Sequence, residues 1–119
     1  MKLSTKQIKF TSMIGDLIAW AYAHGYGLTF GYTFRDEETQ RRMVLMGLSK
    51  TMNSKHCERL AVDFNLFIGG QFSTNKEDYR PLGEYWESLG GRWGGRFGVD
   101  PKDYTTKIGW DSNHFEYND

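Results

Sequence analysis

Two histidines and an aspartate have the types and spacing that a catalytic metal site needs. His56 and Asp63 are seven residues apart, and His114 lies near the C-terminal end. Zinc accepts imidazole nitrogen and carboxylate oxygen as ligands, and a catalytic zinc site keeps a fourth position for water. Bound zinc lowers the pKa of that water to about 7, so a nearby carboxylate can take the proton as the water attacks. Asp111 and Glu116, on either side of His114, are the local candidates for this base.

Spacing alone is weak support for a metal site, because an isolated histidine is more often structural. Asp63 falls among apolar residues in a predicted strand, where an unpaired buried carboxylate is costly. Its partner is then either a metal ion or the side chain of one of three arginines, Arg35, Arg59 and Arg80. The residue types point to zinc without excluding a salt bridge.

Three further residues have structural interpretations beside functional ones. Cys57 is a soft ligand type, but it follows His56 directly, and in an extended segment the two side chains point apart, which favours a packed free thiol. His24 ends a predicted helix, where a cationic imidazole suits the helix dipole. Glu116 shares a strand face with His114 and either orients that histidine or is a surface residue.

The elements that must position these residues are short helices and strands. Helical spacing and capping residues predict helices over 4–23, 36–46 and 82–89. Alternating patterns predict strands over 26–34, 60–67, 71–73 and 114–117, whereas residues 47–55 form a loop. The four glycines in 90–95 exclude regular helix there. The sequence therefore predicts an α+β fold, with a small antiparallel sheet, flanking helices and a single zinc site.

Composition limits the other classes of function. The 119 residues contain no linker-like stretch, so we expect a single domain over residues 1–119. Fifteen basic residues balance fifteen acidic ones, which argues against a nucleic-acid partner. The chain has neither the apolar core of a secretory signal nor a membrane-spanning stretch, so we expect a cytoplasmic protein without membrane insertion. No heptad or apolar stripe demands a dimer, so we expect a monomer.

Two segments around the candidate ligands carry a resemblance to a known family. Residues 54–63 read Ser-Lys-His-Cys-Glu-Arg-Leu-Ala-Val-Asp, which resembles the Ser-x-His-(x)6-Asp signature of a zinc peptidase family. Residues 110–116 read Trp-Asp-Ser-Asn-His-Phe-Glu, which resembles its second signature. Gly94-Gly95 is similar to the glycine-rich segment before that signature, and Phe34-Arg35-Asp36 with Gln40 is similar to its arginine-containing element. The family includes phage L-alanyl-D-glutamate endopeptidases and bacterial D-alanyl-D-alanine carboxypeptidases and dipeptidases.

The resemblance implies a role for each matching position. The ligands of Zn²⁺ would be His56, Asp63 and His114. Asp111 would be the general base, and Arg35 would stabilise the negative charge that develops on the substrate carbonyl. Ser54 would bind substrate or order the loop before His56. Many relatives have glycine where this chain has Arg59, which leaves the conformation of that loop open.

Three tryptophans have different predicted positions. Trp86 is expected in the core, whereas Trp93, in the glycine-rich loop, is predicted to line the substrate groove. Trp110 fits either position.

The resemblance implies an endopeptidase of the phage endolysin type that hydrolyses the L-Ala–D-Glu bond of the peptidoglycan stem peptide. It would act on the cell wall after its release from the cytoplasm. The alternatives are a D-alanyl-D-alanine carboxypeptidase and a non-catalytic zinc-containing module that binds wall fragments. Because Asp111 and Arg35 fill the catalytic positions, an enzyme is favoured over a binding module.

Overall fold

Three helices and five strands make up the computed structural model, which describes all residues from 1 to 119. The helices are α1 (Leu3–Ala23), α2 (Glu37–Leu45) and α3 (Arg80–Ser88). The strands are β1 (Tyr26–Phe30), β2 (Ala61–Ile68), β3 (Gln71–Phe72), β4 (Arg92–Trp93) and β5 (His114–Glu116). The predicted α+β fold with a small antiparallel sheet is confirmed.

The long strand β2 organises the sheet. The strand order is β1-β2-β5-β4, β3 pairs with the end of β2, and every pair is antiparallel. Along the β2–β5 pair, Asp63 lies opposite His114 and Ala61 lies opposite Glu116. Arg92 of β4 in turn lies opposite Glu116. This register places chemically distinct residues from three strands side by side.

Strand alternation gives the β2–β5–β4 region two different faces, because successive side chains point to opposite sides of a sheet. The face that we call the core face carries the buried side chains of Val62, Phe64, Trp93 and Phe115. The opposite face, which we call the cleft face, carries Asp63, Arg92, His114 and Glu116.

Helices α1 and α3 pack together and help to close the core face. The buried residues of α1 recur at helical spacing and are Phe10, Met13, Ile14, Leu17 and Ala21. From α3, the Trp86 ring meets Phe10 and Phe115 edge to face, and its indole N–H donates to the Glu116 carbonyl at 3.0 Å. A Cβ on Gly83 would come within 2.0 Å of the Trp93 ring, so glycine is needed inside this helix.

Helix α1, although 21 residues long, lacks the apolarity needed to cross a membrane, and the shorter helices do not qualify either.

Two segments differ from the predicted elements. The alternating pattern predicts a strand to residue 34, but β1 ends at Phe30, after which the chain continues beside β2 through hydrogen bonds between Gly31, Tyr32 and the backbone of Asp63. Residues 90–95 form no regular α-helix, as predicted, but they contain the two-residue strand β4 and the start of a 3-10 turn, Gly94–Arg96. A strand this short has no alternation that a sequence pattern can reveal.

Candidate metal centre

His56, Asp63 and His114 come together at the cleft face in an arrangement that can hold a metal ion. One potential ligand atom from each residue lies within 4.8 Å of the other two. The Oδ1 atom of Asp63 lies 3.2 Å from His56 Nε2 and 3.1 Å from His114 Nδ1. Both histidines are buried, and Asp63 keeps only 14% of its side chain exposed. The structure thus assembles the three residues that the sequence predicts as ligands.

The donor set fits zinc in both chemistry and spacing. Tetrahedral zinc with bonds of roughly 2.0–2.1 Å places its ligand atoms about 3.3–3.4 Å apart. The two distances to Asp63 Oδ1, 3.1 and 3.2 Å, are close to that spacing. The other ring nitrogen of His56, Nδ1, is buried without a hydrogen-bond partner, so no competing contact holds this ring away from an ion.

Glu116 fixes the orientation of His114. Its Oε1 atom lies 2.7 Å from His114 Nε2, which leaves Nδ1 facing Asp63. Burial alone would lower the pKa of His114, but the hydrogen bonds to Asp63 and Glu116 outweigh burial and raise this pKa to about 9. Burial would raise the pKa of Asp63, whereas its contacts with His114 and His56 lower it to about 2. The two carboxylates therefore favour a cation at this position, and a metal ion would replace the proton on Nδ1.

A tight turn places His56 shortly before the start of β2. His56 lies in a 3-10 turn, Lys55–Glu58, whose cap is Ser54, and the Ser54 hydroxyl accepts a hydrogen bond from the His56 N–H at 3.2 Å. Arg59 then reverses the chain in the left-handed region, with φ 58° and ψ 38°, a conformation that favours glycine. This backbone gives a reason for the glycine of the family pattern, and Arg59 adopts it here despite its Cβ. The Arg59 guanidinium packs over the Phe34 ring at 4.0 Å.

Glycine at position 94 allows the turn that carries Asp111 to approach the sheet. A Cβ on Gly94 would lie 2.1 Å from the Asp111 carbonyl oxygen and 2.9 Å from the Cβ of His114. Within the same turn, the His114 N–H donates to the Asp111 carbonyl at 3.0 Å. The glycine pair found by resemblance thus has a direct steric reason.

Asp111 stands beside the candidate ligands with its carboxylate in the cleft. Its Oδ2 atom lies 3.7 Å from His114 Nδ1, and 39% of its side chain is exposed. Burial raises the pKa of Asp111 above its ordinary value, and the negative charge of Asp63 adds to this effect. A carboxylate with a raised pKa and access to solvent is suited to proton transfer.

Arg35 forms part of the wall next to Asp63. Its Nη2 atom lies 3.6 Å from Asp63 Oδ2, its Nη1 donates to Gln40 Oε1 at 2.8 Å, and its buried Nε has no partner. Gln40 is fully buried and donates from Nε2 to the Ser49 hydroxyl and to the Thr51 carbonyl. Gln40 therefore connects Arg35 to the loop that borders the cleft.

The cleft around these residues has a volume of about 890 Å³. Ser54 lies in its wall, as do Arg92 and Trp110. Trp110 is 55% exposed, and the Lys50 ammonium lies 4.1 Å above its ring.

The prediction that Trp93 lines the substrate groove is wrong. Trp93 is completely buried, and its indole N–H donates to the Ser112 carbonyl at 2.7 Å. Its place in a glycine-rich segment suggested exposure, but the glycines make room for the ring, since Cβ atoms on Gly83 and Gly95 would collide with it. Trp110 lies in the cleft instead.

The structure places three residues for which the sequence allowed both a structural and a functional interpretation. Cys57 lies outside both the donor cluster and the cleft lining. His24 lies at the end of α1, where its ring stacks on Trp20 and Nδ1 is 2.7 Å from the Trp20 carbonyl oxygen. Glu116 contacts His114 rather than solvent.

Sequence reasoning missed the contacts of Gln40 and the position of Arg92. Gln40 appeared only as part of a motif, and Arg92 had no predicted role. The hydrogen bonds of Gln40 reach 11 residues along the chain, and Arg92 reaches the cleft through the short strand β4. Neither arrangement leaves a local pattern.

The antiparallel sheet carries His-Asp-His donors and an adjacent carboxylate, a set that suits a metal-dependent hydrolase. A family model described as D-alanyl-D-alanine carboxypeptidase matches residues 48–117, which is more than half of the chain. The chain belongs to this family, in which it is a zinc metallopeptidase of a group that acts on peptidoglycan. No curated protein matches the chain.

Three solved structures share the fold. The L-Ala D-Glu endopeptidase ChiX of Serratia marcescens aligns with a TM-score of 0.65 and 24% identity, over 86% of this chain and 75% of ChiX. An alanine variant of the vancomycin resistance D,D-pentapeptidase VanY in complex with Zn(II) has a TM-score of 0.60 and 24% identity, over 92% and 71% of the two chains. VanYB in complex with D-Alanine-D-Alanine has a TM-score of 0.58 and 22% identity, over 92% and 70%. At these identities the similarity establishes the fold.

Proposed function

We propose that this protein is a zinc-dependent peptidoglycan endopeptidase of the phage endolysin type, which hydrolyses the L-Ala–D-Glu bond of the stem peptide. The observation that carries the proposal is the cluster of His56, Asp63 and His114 beside the carboxylate of Asp111 in an open cleft. In this proposal the first three residues bind Zn²⁺. The protein would act as a monomer of one domain and reach the wall during phage lysis.

The proposed mechanism divides the chemistry between the ion and the side chains. Bound zinc would supply Lewis acidity, which lowers the pKa of water and polarises the scissile carbonyl. Asp111 takes the proton of the attacking water and returns it to the leaving amine, for which its raised pKa is suited. Glu116 holds His114 in the tautomer that presents Nδ1.

Arg35 is proposed to stabilise the negative charge of the transition state. Its guanidinium is held by Gln40 near Asp63 and offers planar, rigidly arranged N–H donors. Fixed donors of this kind stabilise an oxyanion without reorganising during the reaction. Ser54, which borders the cleft, would contact the substrate or preserve the turn at His56.

The size of the cleft favours an extended substrate over a terminal dipeptide. Its volume of about 890 Å³ lies in the upper part of the range of roughly 300–1,000 Å³ that is usual for ligand sites. The shared fold with the endopeptidase ChiX supports the same choice. The alternative is a D-alanyl-D-alanine carboxypeptidase, which the family description and the fold shared with VanY support.

Digestion of purified peptidoglycan with the zinc-loaded protein tests the proposal. Mass spectrometry should find glycan that carries only L-Ala, together with free peptides that begin at D-Glu. Asp111→Asn should retain zinc and lose activity by a factor of about 100 to 10,000, and Asp16→Asn, on the exposed side of α1, serves as the matched control. Loss of a single terminal D-Ala would establish the carboxypeptidase instead. Full activity of Asp111→Asn would refute the assignment of the base.

A further inference from the structure

Arg92 extends the row of charged residues on the cleft face by one strand. It lies opposite Glu116 in the β4–β5 pair, on the face that also carries Asp63 and His114. Its side chain is 58% exposed and forms part of the cleft wall. The mechanism proposed above gives this cation no role.

The contacts of Arg92 hold its guanidinium in place without occupying its donors. The guanidinium lies over the Phe97 ring, 4.7 Å from the centroid, which restricts its orientation. Its Nη1 atom forms an ion pair with Glu116 Oε2 at 3.5 Å, a separation longer than a hydrogen bond to a carboxylate. The other oxygen of Glu116 faces His114 at 2.7 Å. Arg92 therefore faces the cleft with donors that are free for an anion.

Two other cations of the cleft wall are engaged in polar contacts. Arg35 is buried and donates to Gln40, and Lys55 pairs with the Asp119 carboxylate. Lys50 lies over the Trp110 ring, as Arg92 lies over the Phe97 ring, but Lys50 belongs to the loop before Ser54 and not to the sheet that carries Asp63 and His114. Arg92 is therefore the exposed guanidinium on the same sheet face as the candidate ligands. A guanidinium also matches the planar geometry of a carboxylate, to which it can donate two parallel hydrogen bonds.

We propose that Arg92 binds the free α-carboxylate of the residue on the leaving side of the scissile bond and thereby determines substrate specificity. This inference rests on the proposed peptidoglycan peptidase function. In the stem peptide D-Glu continues the chain through its side-chain carboxyl, so its α-carboxylate is free and is attached to the same carbon as the scissile nitrogen. The terminal carboxylate of D-Ala–D-Ala occupies the equivalent position. Arg92 would therefore bind the carboxylate on the leaving side whichever of the two bonds is cleaved.

The proposal predicts that the enzyme discriminates against amidation of this carboxylate. An amide has the same shape but no charge, and it accepts only one hydrogen bond from the fork. Wild-type kcat/KM should be about tenfold or more higher for an L-Ala–γ-D-Glu peptide than for the same peptide amidated at the α-carboxyl. Arg92→Gln should reduce this ratio to near one, mainly by slowing cleavage of the carboxylate peptide.

Two substrate pairs and a set of further variants complete the experiment. The pairs are L-Ala–γ-D-Glu and D-Ala–D-Ala peptides, each with a free and an amidated α-carboxyl. Arg92→Lys, which keeps the charge, should retain part of the preference. Lys9→Gln removes an exposed cation of α1 and should leave the preference unchanged. Affinities of both peptides for zinc-loaded Asp111→Asn, with and without Arg92→Gln, provide a readout that does not depend on turnover.

The outcomes separate this inference from the proposed function. Cleavage of D-Ala–D-Ala alone would show that the proposed bond is wrong, while the carboxylate preference for that pair would still test Arg92. An equal loss for the free and the amidated peptide in Arg92→Gln would show that Arg92 is only structural, and the inference would be overturned. The same holds if the wild type prefers neither form.

Discussion

The core face and the cleft face of the β2–β5–β4 region are built from alternate residues of the same short strands, yet they have opposite chemistry. Val62, Phe64 and Phe115 on the core face are at most 5% exposed. The cleft face brings Asp63, His114 and Glu116 into direct contact, where they face a cleft. A register shift of one residue would exchange these two sets. The contrast indicates that the core face determines stability and the cleft face determines metal binding and catalysis.

Adjacent residues on opposite faces provide the strongest test of this contrast. Asp63→Asn keeps the size of the side chain but removes the anion shared by both histidines, so zinc affinity should fall by at least about a hundredfold and peptidase activity should disappear. Val62→Ala leaves the cleft intact but lowers the free energy of unfolding by about 2 kcal/mol. Zinc content, turnover and urea unfolding measure the two effects.

This comparison requires a correction for folded protein, because a destabilised variant loses activity through unfolding alone. Turnover of Val62→Ala should be calculated per zinc-loaded folded molecule and should equal that of the wild type. If Val62→Ala loses zinc in the folded state, or if Asp63→Asn binds zinc normally, the two faces do not act separately.

Removal of zinc from the cleft face should lower the thermal stability of the whole protein. An ion that binds only the folded state stabilises by about 4 kcal/mol when its concentration is 1,000 times the dissociation constant. For a protein of this size the melting temperature should fall by on the order of 10 °C after chelation. Scanning calorimetry with and without a chelator, followed by zinc replacement as a control, measures the difference. An unchanged Tm accompanied by loss of activity would mean that the site is fully formed without the ion.

The size of this zinc effect should increase with pH. The pKa of His114 in the zinc-free protein is raised from 6.5 to about 9, so its stabilising contribution is complete below pH 6.5 and is lost as pH rises to about 9. The pKa of Asp63 is lowered from 3.8 to about 2, so its contribution is complete above pH 3.8 and is lost as pH falls to about 2. Zinc competes with the proton on His114, so the Tm difference between loaded and chelated protein should widen from pH 6.5 to 9. A constant difference would contradict this coupling.

Substitution of Gln40 should have a smaller effect on activity, because Gln40 acts by orienting Arg35. Gln40→Ala removes the acceptor for Arg35 Nη1 and the donor to the loop, so kcat should fall by roughly tenfold with less change in KM. Gln40→Glu keeps an acceptor for Arg35 and should retain more activity. A double-mutant cycle with Arg35→Gln checks the mechanism, because Gln40→Ala should cost little more once Arg35 is gone. Additive effects would show that Gln40 does not act through Arg35.

Sequence predicted the site well where it depends on short segments with local signals. The cap at Asp36, where the side chain accepts from the Thr39 N–H at 2.7 Å, is an example, as is the alternation of β2 that separates Asp63 from Val62. The convergence of Asp63 and His114, 51 positions apart, followed from motif resemblance because no local pattern encodes a strand register.

The failures arise where packing overrides local composition. Glycines around Trp93 indicated an exposed loop, but tight contacts with Gly83 and Gly95 bury the ring. Gln40 is polar and lies in a helix of polar composition, yet it is fully buried because its amide satisfies three partners across the chain. Both outcomes depend on distant segments that the residues' immediate neighbours do not specify.

Substitution of Arg59 should have the smallest effect, because two opposing contributions to the free energy of unfolding nearly cancel at this residue. Its left-handed backbone costs about 1–2 kcal/mol for a side chain with a Cβ, whereas its contact with the Phe34 ring returns about 0.5–1 kcal/mol. Arg59→Gly relieves the backbone strain and loses the contact, and the greater freedom of glycine in the unfolded chain offsets part of the gain, so the free energy of unfolding should change by less than about 1 kcal/mol. Arg59→Ala keeps the strain and loses the contact, so it should be less stable than Arg59→Gly. Urea unfolding of the two variants in the zinc-loaded state gives the order, and an alanine variant as stable as the glycine variant would mean that the turn after His56 is not strained.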